Sequence, residues 1–332
     1  MLSKNNNLIK YLNSKFFIMN KNIFLFIPML FLILVSACSE DVTPVDEQMT
    51  IVETAQATPD LSFLVEALVA ADLVDAINNG TYTVFAPNNA AFQALLDSDP
   101  TWDTPADIPV ALLTSVLLYH VVDGEVRAAD LTDTYVSTLS TGPNSEPLSL
   151  QVAVTGGVFF DGDALPLSTD IETSNGVVHV IDKVMFPNSL VEFALGNPDF
   201  SILVQALTRP SFAGAYVTAL SGAGPFTVFA PNNAAFQALY DAVATWNTLD
   251  DIGDATLGAV LEYHVFGGGN VQADQLNDGD VITMFGSGDI TIDLSSGAAL
   301  STTGNAASVN IILTDVQGTN GVIHVVEEVL LP

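Results

Sequence analysis

Cysteine is almost absent from this chain of 332 residues: Cys38 stands alone, so no intramolecular disulfide can hold the fold together. Basic residues are nearly as scarce. Seven Lys and Arg face 38 Asp and Glu, and four of the seven (Lys4, Lys10, Lys15 and Lys21) lie before Cys38, where no acidic residue occurs. Beyond Cys38 only Arg127, Lys183 and Arg209 remain, leaving a formal excess of 35 negative charges, 38 against three. Such a field repels nucleic acid and anionic membrane surfaces, so neither is an expected partner. The longest apolar run, over residues 23–35, is thirteen residues long and falls short of the ~20 needed to span a bilayer.

That run ends in Val35-Ser36-Ala37-Cys38, after a basic start and before the acidic stretch Ser39-Glu40-Asp41. The order of basic, apolar and small residues is that of an export signal over residues 1–37, with Met19 as an alternative start. Its end resembles a bacterial lipobox, which implies cleavage before Cys38 and lipidation there. Residues 38–50 then form a polar, acidic tether. The location this implies is the bacterial outer membrane, on the cell surface, with the periplasmic face as the alternative.

What the chain does have is duplication. The string TVFAPNNAAFQAL occurs at residues 83–95 and again at 227–239. Tyr119-His120-Val121 returns as Tyr263-His264-Val265, and Asn175-Gly176-Val177-Val178-His179-Val180 as Asn320-Gly321-Val322-Ile323-His324-Val325. The repeat is far longer than a solenoid unit, and each copy is long enough to bury its own core. Two domains are expected, 51–187 and 188–332, with a short joint and an insertion in the second copy around residues 214–224.

In the repeated string, Thr83-Val84-Phe85 suits a buried strand, which Pro87, and Pro231 in the second copy, ends by withholding a backbone donor. Asn88 then caps a helix whose Ala91, Phe92 and Leu95 share one face. Residues 61–77 and 109–119 have the apolar density of packed helices; 148–154, 157–160 and 176–184 read as strands. Helices early and strands late in each copy predict an α+β fold.

All four histidines sit in the repeated motifs, yet none shows a metal-binding spacing, and no nucleophile elbow, phosphate loop or dinucleotide fingerprint occurs. No catalytic residue, metal or cofactor is expected. His120 and His264 end apolar helical stretches, where an imidazole can bind terminal carbonyls and benefit from the helix dipole. His179 and His324, inside apolar strands, are expected to form buried hydrogen bonds, and Tyr119 and Tyr263 to be core rings with tethered hydroxyls. The turns Asp161-Gly162-Asp163 and Asn277-Asp278-Gly279-Asp280 offer oxygen ligands of the kind calcium takes, without the spacing of a full calcium loop.

Taken in order and twice over, TVFAPNNAAF, Tyr119-His120-Val121-Val122 with Ala128-Ala129-Asp130-Leu131, and Ser174 through Asp182 resemble the fasciclin (FAS1) domains, from about residue 51 to the end. The resemblance implies two tandem FAS1-like domains, each a β-sandwich-like wedge with helices packed along it. It also implies adhesion contacts, which in animal matrix members map to Tyr119, His120, Asp170 and Ile171, and to Tyr263, His264, Asp315 and Val316. Val316 departs from the family's isoleucine, and a purely local role for Asp170 and Asp315, bonding the following turn, remains the alternative. The expected function is adhesion to cells, matrix or polysaccharide, through a surface glycan, matrix or cell-surface protein. A structural envelope spacer is the second reading, and a polysaccharide-acting enzyme the third.

Overall fold

The computed structural model describes residues 48–332 apart from Ser287. The export segment, Cys38 and most of the tether lie outside the described residues. Among those described, no helix is long and apolar enough to cross a membrane.

The first copy opens with α1 (Ile51–Ala57), whose first turn is closed by a capping box between Thr50 and Glu53. α2 (Ser62–Ala70) and α3 (Val74–Asn78) follow. The sequence reads residues 61–77 as helical throughout, but Asp72 adopts φ +56° and breaks the segment into two helices. Then come β1 (Tyr82–Pro87), α4 (Asn89–Leu96), α5 (Val110–Tyr119) and β2 (Val121–Asp123). β3 (Thr134–Thr141), β4 (Pro147–Ala153), β5 (Phe159–Phe160), β6 (Pro166–Thr173) and β7 (Gly176–Ile181) complete it.

β1 is central. It pairs parallel with β7, Phe85 opposite His179, and antiparallel with β2, in the strand order β5-β4-β3-β2-β1-β7-β6. Alternation along β1 sorts its side chains into two cores. Val84 and Ala86 join the helices (Leu64, Leu68, Phe92, Leu113, Leu117), while Phe85 faces Leu148, Leu150 and Val152 of β4 and Phe160 of β5. Because β4 and β5 lie across this second core from β1 and β7, the sheet bends over itself into a wedge. At ~1.5–3 kcal/mol per fully buried large apolar side chain, both cores stabilise the copy substantially.

The second copy repeats this order: α6 (Leu190–Gly196), α7 (Ser201–Leu207), α8 (Ala215–Leu220), β8 (Phe226–Pro231), α9 (Asn233–Ala242) and α10 (Asp254–Tyr263). β9 (Val265–Phe266), β10 (Val281–Thr283), β11 (Asp289–Asp293), β12 (Ala299–Ser301), β13 (Val309–Gly318) and β14 (Gly321–Val326) follow. α8 occupies the stretch where the sequence locates the insertion. The strand order β10-β11-β12-β13-β14-β8-β9 is that of the first copy as a ring opened at another seam, since β12 pairs with β13 whereas β5 and β6 do not pair.

The copies touch directly. Ser149 Oγ in β4 accepts from Gln317 N at 2.9 Å and donates to Asp315 O at 3.4 Å, both in β13. Asn197 Nδ2 donates to Tyr135 Oη at 3.0 Å, and the Tyr135 ring meets Phe193 edge-on at 5.7 Å.

Candidate binding surface

Thirteen identical residues have a structural cause. Asn88 Oδ1 caps α4 by accepting from Ala91 N at 2.9 Å, and Asn232 repeats this with Ala235 N at 2.9 Å. The next residue, Asn89, ties the corner to the helix before it: Oδ1 accepts from Phe63 N at 3.0 Å and Nδ2 donates to Pro59 O at 3.0 Å. Asn233 does the same with Ile202 N and Pro198 O, both at 2.9 Å. Pro87 closes the ladder, and its missing donor is replaced by Asn88 N, which donates to Ile181 O at 3.1 Å. Thr83 through Asn89 thus serve strand, cap or brace and Ala91 and Phe92 the core, while Ala90, Gln93 and Ala94 are exposed.

The histidines form two kinds of internal bridge. His120 Nδ1 donates to Val116 O in the last turn of α5 at 2.7 Å, and Nε2 accepts from Met185 N at 3.0 Å. His264 repeats the pattern with Val260 O at 2.7 Å and Leu330 N at 2.9 Å. The helix-end carbonyl contact expected from sequence is present, but burial pushes both imidazoles down to about 4, so they are neutral and no cation meets the dipole. His179 and His324 carry the opposite tautomer. Nε2 of each donates to Val126 O (2.8 Å) and Val271 O (2.9 Å), and Nδ1 accepts from Asp170 N and Asp315 N, both at 3.3 Å. Each ring also stacks on the phenylalanine of the repeated string, Phe85 or Phe229, at 5.6 Å. Burial lowers the His324 pKa as well.

Tyr119 and Tyr263 are buried, with hydroxyls bonded to Ser149 O (2.8 Å) and Asp289 O (2.6 Å). Tyr119, His120, Tyr263 and His264 therefore present no surface to a partner. Asp170 and Asp315 are half-buried, in left-handed conformation at φ +57° and +61°. Their carboxylates do not bond the following turn. Asp170 Oδ1 accepts from Ala128 N and Asp315 Oδ1 from Ala273 N, both at 2.8 Å, so each fastens a distant turn to its strand.

Ile171 is half-buried and Glu172 exposed, but Val316 is buried and Gln317, at the position of Glu172, donates its backbone N–H to Ser149 Oγ. The two candidate strand segments are thus alike at their aspartates but unlike beyond them: Val316 and Gln317 are buried where β4 of the first copy meets the second, while Ile171 is half-buried and Glu172 exposed. Nothing in the sequence signalled this, because the covering residue lies 168 positions from Gln317.

Between the copies lies a cleft of about 570 Å³, with Tyr135, Gln151 and Val152 on one wall and Asn197, Ile312 and Leu313 on the other. Asp133 on its rim is saturated by Val154 N (2.6 Å) and Thr155 N (3.1 Å), and these hydrogen bonds, with that of the Thr155 hydroxyl first, hold its pKa low. It is no proton donor. The acidic turns do not converge on a cation: Asp163 pairs with Lys183, Asp280 with Asn277 and Asp278 with Leu294 N. Among the described residues no group of three or more potential ligands gathers. All three basic residues there are paired, Arg127 with Glu172 and Arg209 with Asp254 completing the set, so no cationic patch exists among the described residues.

The sequence model of the fasciclin domain matches residues 59–187 and again 198–332. The chain belongs to the fasciclin domain family. It is similar to Protein sll1483 of Synechocystis sp., 39% identical over 151 residues, which covers 43% of this chain and 76% of that protein. The Immunogenic protein MPB70 of Mycobacterium bovis is 36% identical over 138 residues, 40% of this chain and 66% of its own length. Human periostin is 29% identical over 262 residues, 76% of this chain but only 28% of periostin. Among solved structures, a FAS1 domain pair from the insect cell adhesion molecule fasciclin I aligns with TM-score 0.48 and 20% identity, covering 81% of this chain and 96% of the other.

Proposed function

We propose that this fasciclin protein is a lipid-anchored, non-enzymatic adhesion module of the bacterial outer membrane, displayed on the surface. It attaches to a glycan, matrix or cell-surface protein, and the contact is made by the first copy around Asp170, Ile171 and Glu172. The observation that carries this reading is the asymmetry between the copies just after the aspartates: the segment that the family resemblance marks for adhesion is half-buried at Ile171 and exposed at Glu172 in the first copy, whereas Val316 and Gln317 of the second are buried, with Ser149 bonded to the backbone of Asp315 and Gln317. Cys38 supplies the anchor and the acidic tether the reach. A wholly structural envelope role is the second reading, favoured by the engagement of both aspartates in internal hydrogen bonds.

The test is binding of the purified chain to a panel of glycans, matrix proteins and intact bacteria, with and without calcium. Saturable binding is expected for at least one member; absence of binding throughout moves the reading to the structural role. Cys38→Ser is expected to release the protein from membranes, and continued retention contradicts the lipid anchor.

A further inference from the structure

Among the described residues one buried side-chain oxygen has no hydrogen-bond partner, and it is Oδ2 of Asp161. Its location gives that defect a use. Asp161 follows β5 in a turn at φ +49°, and its Oδ1 accepts from Gln151 N at 3.2 Å. Oδ1 also lies 3.2 Å from Tyr119 Oη, whose single proton is shared with the closer Ser149 O at 2.8 Å. The carboxylate is therefore poorly supported, and burial pushes its pKa up to about 7, with the charge of Asp163 adding to the shift.

The same turn is where the copies press together. A Cβ on Gly162 would lie 3.3 Å from Gly196 O at the end of α6. Asn188, in the connector between the copies, lies beside both Tyr119 and Asp161. Its carbonyl accepts from Thr319 N at 2.9 Å, in the turn between β13 and β14. A path of contacts thus runs from Asp161 through Asn188 into the second copy. By strand register the second copy has Ser301 at this position, because Val152 pairs with Phe160 as Ile292 pairs with Leu300. The device exists once, at the joint.

We propose that Asp161 is a proton-operated clasp between the two copies, closed when its carboxyl is neutral and loosened when it is charged. A neutral carboxyl can donate to the neighbouring Asn188 carboxamide and satisfy the orphaned oxygen. A charged one can only accept, from the Asn188 amide among others, and remains a desolvated charge, a state relieved by moving the turn away from Gly196 and letting water in. Neighbouring groups reinforce the direction. Tyr119 in α5 is buried and un-ionised, burial raises the pKa of the half-buried Tyr135 in β3, and Asp163, though paired with Lys183 after β7, adds its negative charge. Among the described residues no cation reaches Asp161 itself. Acidification through neutrality therefore tightens the pair, and alkalinity loosens it.

The experiment is small-angle scattering of the purified full chain from pH 5 to pH 8.5, beside Asp161→Asn and Asp161→Ser, the second copying the residue at Ser301. The wild type is expected to expand as the pH rises, with a midpoint near 7 that matches the Asp161 carboxyl titration seen by carbon NMR. Asp161→Asn is expected to keep the compact profile at both ends of the range. A wild type of constant dimensions, or an Asp161→Asn variant that expands in the same way, overturns the proposal. If either variant unfolds, as its melting curve reports, the other variant and the wild-type NMR midpoint decide: a carboxyl that titrates near 4 excludes the clasp.

Discussion

Two residue types titrate inside this molecule with opposite signs. His120 and His264 have pKa values lowered from 6.5 to about 4. The stability they contribute is complete above pH 6.5 and is lost as the pH falls through 4, because protonating Nε2 expels the Met185 or Leu330 amide. Each contribution is of order 3 kcal/mol in full, taking ~1.4 kcal/mol per pKa unit. Asp161 is raised from 3.8 to about 7, so the stability gained by protonating it is complete below 3.8 and is lost as the pH rises through 7. Between about 4 and 7 the two effects oppose one another. Asp161→Asn is expected to steepen the acid limb of stability against pH, measured by urea denaturation; an unchanged limb contradicts the assignment of that carboxyl. His179→Ala strands both the Asp170 amide and the Val126 carbonyl and is expected to cost ~1–3 kcal/mol, read from the same denaturation curves.

At the scale of elements, the corner between β1 and α4 was legible in the sequence almost to the residue. A β-branched strand, a proline and an Asn cap each act through neighbours one to four positions away. Asn88→Ala and Asn232→Ala are each expected to lose ~1 kcal/mol, visible as a lower melting temperature of the affected copy; equal melting would show the cap to be dispensable. The break at Asp72 was not legible, since apolar density runs straight through it and only the left-handed backbone ends α2. β3 and β6 escaped notice for a related reason: their burial is irregular and both carry register shifts, so no clean alternation survives in the sequence. The buried roles of the four histidines could be inferred from the apolar segments around them. Their opposite tautomers could not, because each depends on an amide 9 to 66 residues away.

At the scale of the whole molecule, duplication produced two similar folds with unlike surfaces. Phe193, Asn270 and Gln317 meet Tyr135, Asn144 and Ser149 of the first copy, whereas Glu172, at the position of Gln317, is exposed. The acidic excess also acts at this scale. With the three basic residues paired, most carboxylates repel one another across the surface, so melting temperature is expected to rise as sodium chloride screens them between low salt and ~0.5 M. A melting temperature indifferent to salt would mean that the carboxylates are too dispersed to matter.

The claim that matters most is that the copies are functionally unequal. It is tested most directly by comparing Asp170→Asn with Asp315→Asn, changes that keep an oxygen for the Ala128 or Ala273 amide and tolerate a positive φ. Against whichever panel member the wild type binds, Asp170→Asn is expected to weaken binding several-fold at unchanged melting temperature, while Asp315→Asn leaves it intact. Equal losses in both variants, or a loss confined to Asp315→Asn, would contradict the account.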